Sequence, residues 1–181
     1  MRRLILTSLL LVSLVACAGR APRALVELPA LRLAPSSLPA PLALQQQLRF
    51  RFGSHERELG ALLEADHDQV RLAVQAMGQT GVRLSWDGTH LEQVRAAWLP
   101  AQVRAERVLD DLQFALWPEA AIRAVLPPDW SVHDDGTQRT LQRDGRAWLV
   151  LRRGADGAMT LDNLAEGYVL EIASVDMQAA P

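Results

Sequence analysis

The segment Gln69–Gly88, QVRLAVQAMGQTGVRLSWDG, decides the fold. Val70, Leu72, Val74 and Ala76 alternate with Arg71 and Gln75. After the bend Gly78-Gln79-Thr80-Gly81, Val82, Leu84 and Trp86 alternate with Arg83 and Ser85. A period of two sends successive side chains to opposite faces, so the pattern predicts strands with one apolar face. Upstream, Leu44, Gln46, Leu48, Phe50 and Phe52 share a face opposite Gln45, Gln47, Arg49 and Arg51. A second strand is expected over Glu58–Ala65, after the polar turn at Gly53, Ser54 and His55. Downstream, Asp-Gly pairs at 87–88, 135–136, 144–145 and 156–157 suit tight turns, because both residue types tolerate positive φ. The later half then reads as a meander, with strands at roughly 130–134, 137–143, 146–153, 158–163 and 168–175.

One stretch changes period. Ala105, Val108, Leu109, Leu112 and Leu116 recur at helical spacing between Pro100 and Pro118, while Arg104, Arg107 and Asp111 face elsewhere. Pro118 suits the first position of a second, short helix, Glu119–Val125, which Pro127 and Pro128 stop. Strands, helices and strands in that order predict an α+β fold: an antiparallel sheet with one face covered by a helix.

The chain's start reads as an address. Arg2 and Arg3 precede an uncharged, almost wholly apolar stretch over 4–16, which is too short to span a bilayer. Leu14-Val15-Ala16-Cys17 resembles the bacterial lipobox, in which the cysteine thiol takes up diacylglycerol, cleavage follows before it, and the new amine is acylated. The expected organisation is a signal peptide over 1–16, a lipidated Cys17 with a Pro-rich tether over 17–43, and a folded domain over 44–181. Pro22, Pro29, Pro35, Pro39 and Pro41 favour extended geometry in the tether, whose leucines could also pack along the domain. Acyl chains, of palmitate type, supply about 0.8 kcal/mol per buried CH₂ and make a stable anchor. With Ala18 and Gly19 after the cysteine and no aspartate, resemblance to sorting rules in enteric bacteria implies the outer membrane, periplasmic face.

Composition removes several functions. The chain has 181 residues and a net charge of −2, which becomes −4 when Arg2 and Arg3 leave with the signal peptide. No basic excess is present to hold nucleic acid. All 19 basic residues are arginine, so Schiff-base and P-loop lysine chemistry is absent. Cys17 is the single cysteine, which excludes an internal disulfide and a multi-cysteine metal site. Glu64, Asp66, His67 and Asp68 read as a polar turn rather than a metal or acid/base site, and His133-Asp134-Asp135 as a hairpin turn. No cofactor, no metal and no enzymatic activity are expected. A hydrolase using His67 or His133 is the third-ranked alternative.

The lipobox, Gln47–Phe52 and Gln69–Gly88 together look like the front half of LolB-type lipoproteins. Asp111–Pro118 (DLQFALWP) and Leu161–Ile172 (LDNLAEGYVLEI) resemble a family of bacterial lipoproteins of unknown function, often found with fatty-acid-like and aryl-polyene biosynthesis clusters. The LolA/LolB likeness implies a curved antiparallel sheet, an incomplete barrel with helices plugging its open side and a hydrophobic cavity that holds lipoprotein acyl chains. It also implies an apolar membrane-probing residue after the third strand, here Met77. Candidate cavity residues are Phe50, Phe52, Leu72, Val74, Leu84, Trp86, Leu109, Leu112, Leu116, Trp117, Trp148, Val150 and Tyr168. The expected partners are membrane lipid through acylated Cys17, an apolar acyl-type ligand and a periplasmic carrier protein. The alternative is an assembly or scaffolding lipoprotein that docks a protein. An open apolar cavity between the sheet and the 105–117 helix is the mark of a carrier, and a filled core that of a scaffold.

Overall fold

Ten strands form one antiparallel sheet in the computed structural model, which describes residues 26–99 and 104–178. In chain order they are β1 (Leu42–Phe52), β2 (His55–Ala65), β3 (Val70–Ala76), β4 (Gln79–Trp86), β5 (Leu91–Arg95), β6 (Trp130–Asp134), β7 (Gln138–Arg143), β8 (Arg146–Arg153), β9 (Met159–Asn163) and β10 (Tyr168–Asp176). Helices α1 (Ala105–Leu116) and α2 (Glu119–Val125) lie between the two groups of five. The spatial order β5-β4-β3-β2-β1-β10-β9-β8-β7-β6 makes each half a meander, joined where β1 pairs with β10 from Leu44–Asp176 to Phe52–Tyr168. The result is an unclosed curved sheet with helices on one face.

The Asp-Gly turns act as the sequence requires. At Asp144–Gly145 both residues have positive φ, 53° and 71°, the geometry that matches a two-residue loop to the twist of β7 and β8. Strands β6 to β10 fall within one residue of their expected limits. β2 starts at His55 rather than Glu58, because Gly53 (φ 58°) and Ser54 complete the turn by themselves. β5 was not anticipated. Its sequence, LEQVR, carries only two apolar residues and sits mostly exposed at the sheet's edge, so it shows no alternation.

Hydrogen bonds identify the concave face. Tyr168 donates to Asp111 on α1, and Arg139 donates to the carbonyls of Phe114 and Trp117 at the end of α1. Tyr168 pairs with Asn163, which pairs with Leu149, and Arg139 pairs with Leu151. Leu149 and Leu151 therefore face the helix and Val150 between them faces the opposite side, while Trp148, the extra residue where β7 and β8 shift register, belongs to the core. Val150 does not line the concave face, contrary to the expectation. Both faces of β8 are buried, so a continuous apolar run conceals which residues point inward. Trp148 is covered by Arg146, whose guanidinium lies 4.3 Å from the ring.

Two further corrections concern what covers the sheet. Leu28, Leu31, Leu33 and Leu38 are buried in the same core as Leu63, Leu84 and Leu109, so the packed unit begins well before residue 44 and 26–38 is no free tether. The expected signal peptide and Cys17 lie outside the described residues. In α1, Arg107, Asp110, Asp111 and Gln113 are buried, whereas Val108, Leu112 and Leu116 are only partly so. Amphipathic reasoning assumes one buried face, but α1 is covered both by the sheet and by residues 31–34, which lie between it and Trp86 on β4.

Candidate functional site

The slot between the sheet and α1 is filled by the chain's own N-terminal segment. Gln113 grips Leu33 twice: its Oε1 accepts the Leu33 N–H at 3.0 Å and its Nε2 donates to the Leu33 carbonyl at 2.8 Å. The same carbonyl accepts from Trp86 Nε1 at 2.7 Å. One helical turn earlier, Asp110 Oδ1 accepts from the Leu31 N–H at 3.1 Å and from Arg32 at 3.3 Å. Trp117 Nε1 donates to the Ala34 carbonyl at 3.3 Å. No residue of 26–34 belongs to a strand, so side chains rather than a backbone ladder satisfy these buried groups. Between the two gripped leucines, Arg32 has φ 45°, a left-handed conformation that costs a non-glycine residue about 1–2 kcal/mol. Its guanidinium stands 6.0 Å from the Trp86 ring centre.

A second polar group locks the other side of α1. Arg107 donates to Asp111 at 3.0 Å, and Asp111 also accepts from the Tyr168 hydroxyl. Burial drives the Asp111 carboxyl up to about 6, although Arg107 opposes the shift. Burial, reinforced by the neighbouring Asp111, also raises the Tyr168 phenol well above its ordinary value. At the end of α1, Arg139 donates to Asp134 at 2.6 Å and to the Trp117 carbonyl at 2.7 Å. Burial alone would raise the Asp134 carboxyl, but bonds from Arg153, the Gly136 N–H and Arg139 prevail and hold it well below the usual range. Nothing in the sequence period distinguishes these buried charges from solvated ones.

The expected cavity residues divide accordingly. Leu72, Val74, Leu84, Trp86, Leu109, Trp117 and Tyr168 are buried, with Leu112 and Leu116 partly buried against the core. Phe50 is half-buried with its ring 5.2 Å from Tyr168, and Phe52 is exposed at the sheet's end. Phe114, missed in the helical reading, is fully buried. Two surface depressions, of about 300 and 150 Å³, involve Pro41, Glu64, Asp66 and Arg71 in one and Gln45, Gly60 and Ala73 in the other. Neither is lined by α1 or by the leucines of 28–33.

Asp66 Oδ1 accepts the N–H groups of Asp68 and Gln69, both at 2.8 Å, which makes the acidic cluster a self-bonded turn. His67 and His133 are exposed, on separate segments. Among the described residues no group of three metal-ligating side chains is present.

Of the nine large apolar residues exposed among the described residues, Phe52, Met77, Trp98 and Leu164 share one end of the sheet, Val175 and Met177 lie at the other, and Leu62, Val94 and Val125 lie elsewhere. Antiparallel pairing puts the β1–β2, β3–β4 and β9–β10 turns at the first end, together with the chain leaving β5. Met77, at the β3–β4 turn with φ 49°, is 93% exposed. The start of α1 is at this end too, since Arg104 pairs with Glu166 in the β9–β10 turn at 3.0 Å. Residues 31 to 34 run parallel to α1, from Asp110 toward Trp117, so the chain traced back to Val26 heads for the same end.

These features define an α+β protein in which an unclosed antiparallel sheet is folded around its own N-terminal segment and one buried helix. The architecture is compatible with a LolA/LolB-like half-barrel. Its sequence matches a family model, DUF3261, a protein of unknown function, over residues 43–176, and the chain belongs to that family. No curated protein matches it. The matched region contains the sheet and both helices but not residues 26–38, which fill the slot.

Proposed function

We propose that this is an outer-membrane-anchored periplasmic lipoprotein that receives an apolar acyl-type ligand between the sheet and α1. It does so without catalysis, on a half-barrel of LolA/LolB type. One observation carries the reading: the face of the sheet toward α1 is apolar, and residues 26–38, which help to cover it, pair with no strand. A face covered by one helix and one unpaired segment can be uncovered without breaking the sheet. Burial of an acyl chain is non-directional and needs only apolar area, at about 25 cal/mol per Å². Cys17 is the attachment point, and the end bearing Phe52, Met77, Trp98 and Leu164 faces the bilayer. A periplasmic carrier protein and a polyene or lipid cargo fit the same site.

The filled slot favours a second reading, a scaffolding lipoprotein that docks a protein partner. Two experiments separate them. Fractionation of membranes should find the protein in the outer membrane and the Cys17→Ala variant released from it. Affinity purification in mild detergent should then yield bound lipid for a carrier, or a stoichiometric protein with no bound lipid for a scaffold.

A further inference from the structure

We propose that Leu28–Leu33 is the gate of the acyl slot, a strained internal occupant that leaves when an acyl chain enters. The inference rests on the carrier reading and adds how its site is regulated. Three observations meet at this segment. Leu28, Leu31 and Leu33 occupy apolar space next to Trp86 and α1 that an acyl chain would fill. The segment is held by the side chains of Asp110, Gln113 and Trp86, with no strand pairing, so its departure leaves the sheet intact. Arg32 sits in left-handed backbone, whose strain is relieved on release.

The polar groups also suit the exchange. When the segment leaves, its N–H and C=O groups find water. Gln113 Nε2 and Trp86 Nε1, which both donate to the Leu33 carbonyl, become free to donate to the carbonyl of an acyl ester or the carboxylate of a fatty acid. The ligand's polar end thus replaces the Leu33 carbonyl and its tail the leucines, while Gln113 Oε1 and Asp110, which lose the Leu33 and Leu31 N–H groups, turn to water and, for Asp110, to Arg107. A ligand that binds only the open form is weakened by the fraction of protein that is closed, so loosening the gate raises apparent affinity.

The test uses the full chain in detergent with palmitate as the probe, read by residue-resolved amide exchange and by a binding isotherm. Palmitate should lower protection of the Leu31 and Leu33 amides about tenfold or more and leave the β3 amides unchanged. Leu31→Ala and Leu33→Ala, which loosen the gate and keep the Gln113 and Trp86 donors, each checked for native near-UV dichroism, should bind palmitate several-fold more tightly than the parent. Binding with Leu31 and Leu33 still protected, or with unchanged affinity in both variants, overturns the gate and leaves the carrier reading standing. Failure of the parent and both folded variants to bind overturns both.

Discussion

Gln113 bonds both backbone groups of Leu33, accepting its N–H at 3.0 Å and donating to its carbonyl at 2.8 Å, across 80 residues of sequence. A side chain here does what a neighbouring strand does in a sheet. Removing it in Gln113→Ala leaves a buried N–H without a partner, while the carbonyl keeps Trp86. Such a loss costs about 1–3 kcal/mol. Urea unfolding should show a lower midpoint, with the sheet's far-UV signature retained below the transition.

The buried Asp111 predicts an unusual pH dependence. Its folded value of about 6 lies above the 3.8 of an unperturbed aspartate, so the folded state holds this proton more tightly than the unfolded chain. Its contribution is fully present below about pH 4 and is lost as pH rises through about 6. The loss amounts to about 3 kcal/mol at most, and Asp110, also raised by burial, acts in the same direction. Asp111→Asn keeps partners for Arg107 and Tyr168 without the charge. It should flatten the fall in stability between pH 4 and 6, as measured by chemical denaturation at fixed pH steps.

Arg139 ties three elements through one guanidinium: Asp134 on β6, its own strand β7 and the last carbonyls of α1. Arg139→Met should cost about 3–5 kcal/mol, because it strands buried acceptors at the helix end. Asp134 keeps Arg153, at 2.9 Å and 3.1 Å, so the loss should appear first at α1. Arg139→Lys should recover little, since an ammonium cannot reproduce the fork. Amide exchange at the C-terminal turn of α1 distinguishes this local loosening from global unfolding.

Trp98 reports which end of the protein meets the membrane. It is 46% exposed, whereas Trp86, Trp117, Trp130 and Trp148 are buried. In the lipidated protein on vesicles containing brominated phospholipid, Trp98 emission should be quenched, and Trp98→Phe should remove the quenched component. Met77→Asp should reduce quenching without releasing the protein. Unquenched Trp98 in vesicle-bound protein would turn the opposite end toward the bilayer.

The sheet was readable because its faces differ: Val70, Leu72 and Val74 against Arg71 and Gln75, with glycine where each turn needs positive φ. The site was less so. Proline spacing makes 26–38 read as an extended tether whose leucines could pack along the domain, and they do, but nothing local reveals that Leu31 and Leu33 will meet Asp110 and Gln113 some 80 residues later. Asp110, Asp111 and Arg107 read as a polar helical face because charge implies water, until a second cover turns that face into an interior. Val150 was misassigned for the converse reason: an apolar run buried on both faces carries no period.

The central claim is that an acyl-type ligand occupies the slot between the sheet and α1. Native mass spectrometry of the protein extracted in mild detergent from its own membranes tests it most directly. The account predicts a covalent mass increment at Cys17 and, in addition, a dissociable acyl-type adduct of defined stoichiometry that Leu84→Asp, placed in the core of the concave face, abolishes. Lipidated protein that never carries such an adduct, and that comes instead with a stoichiometric protein partner, would contradict it.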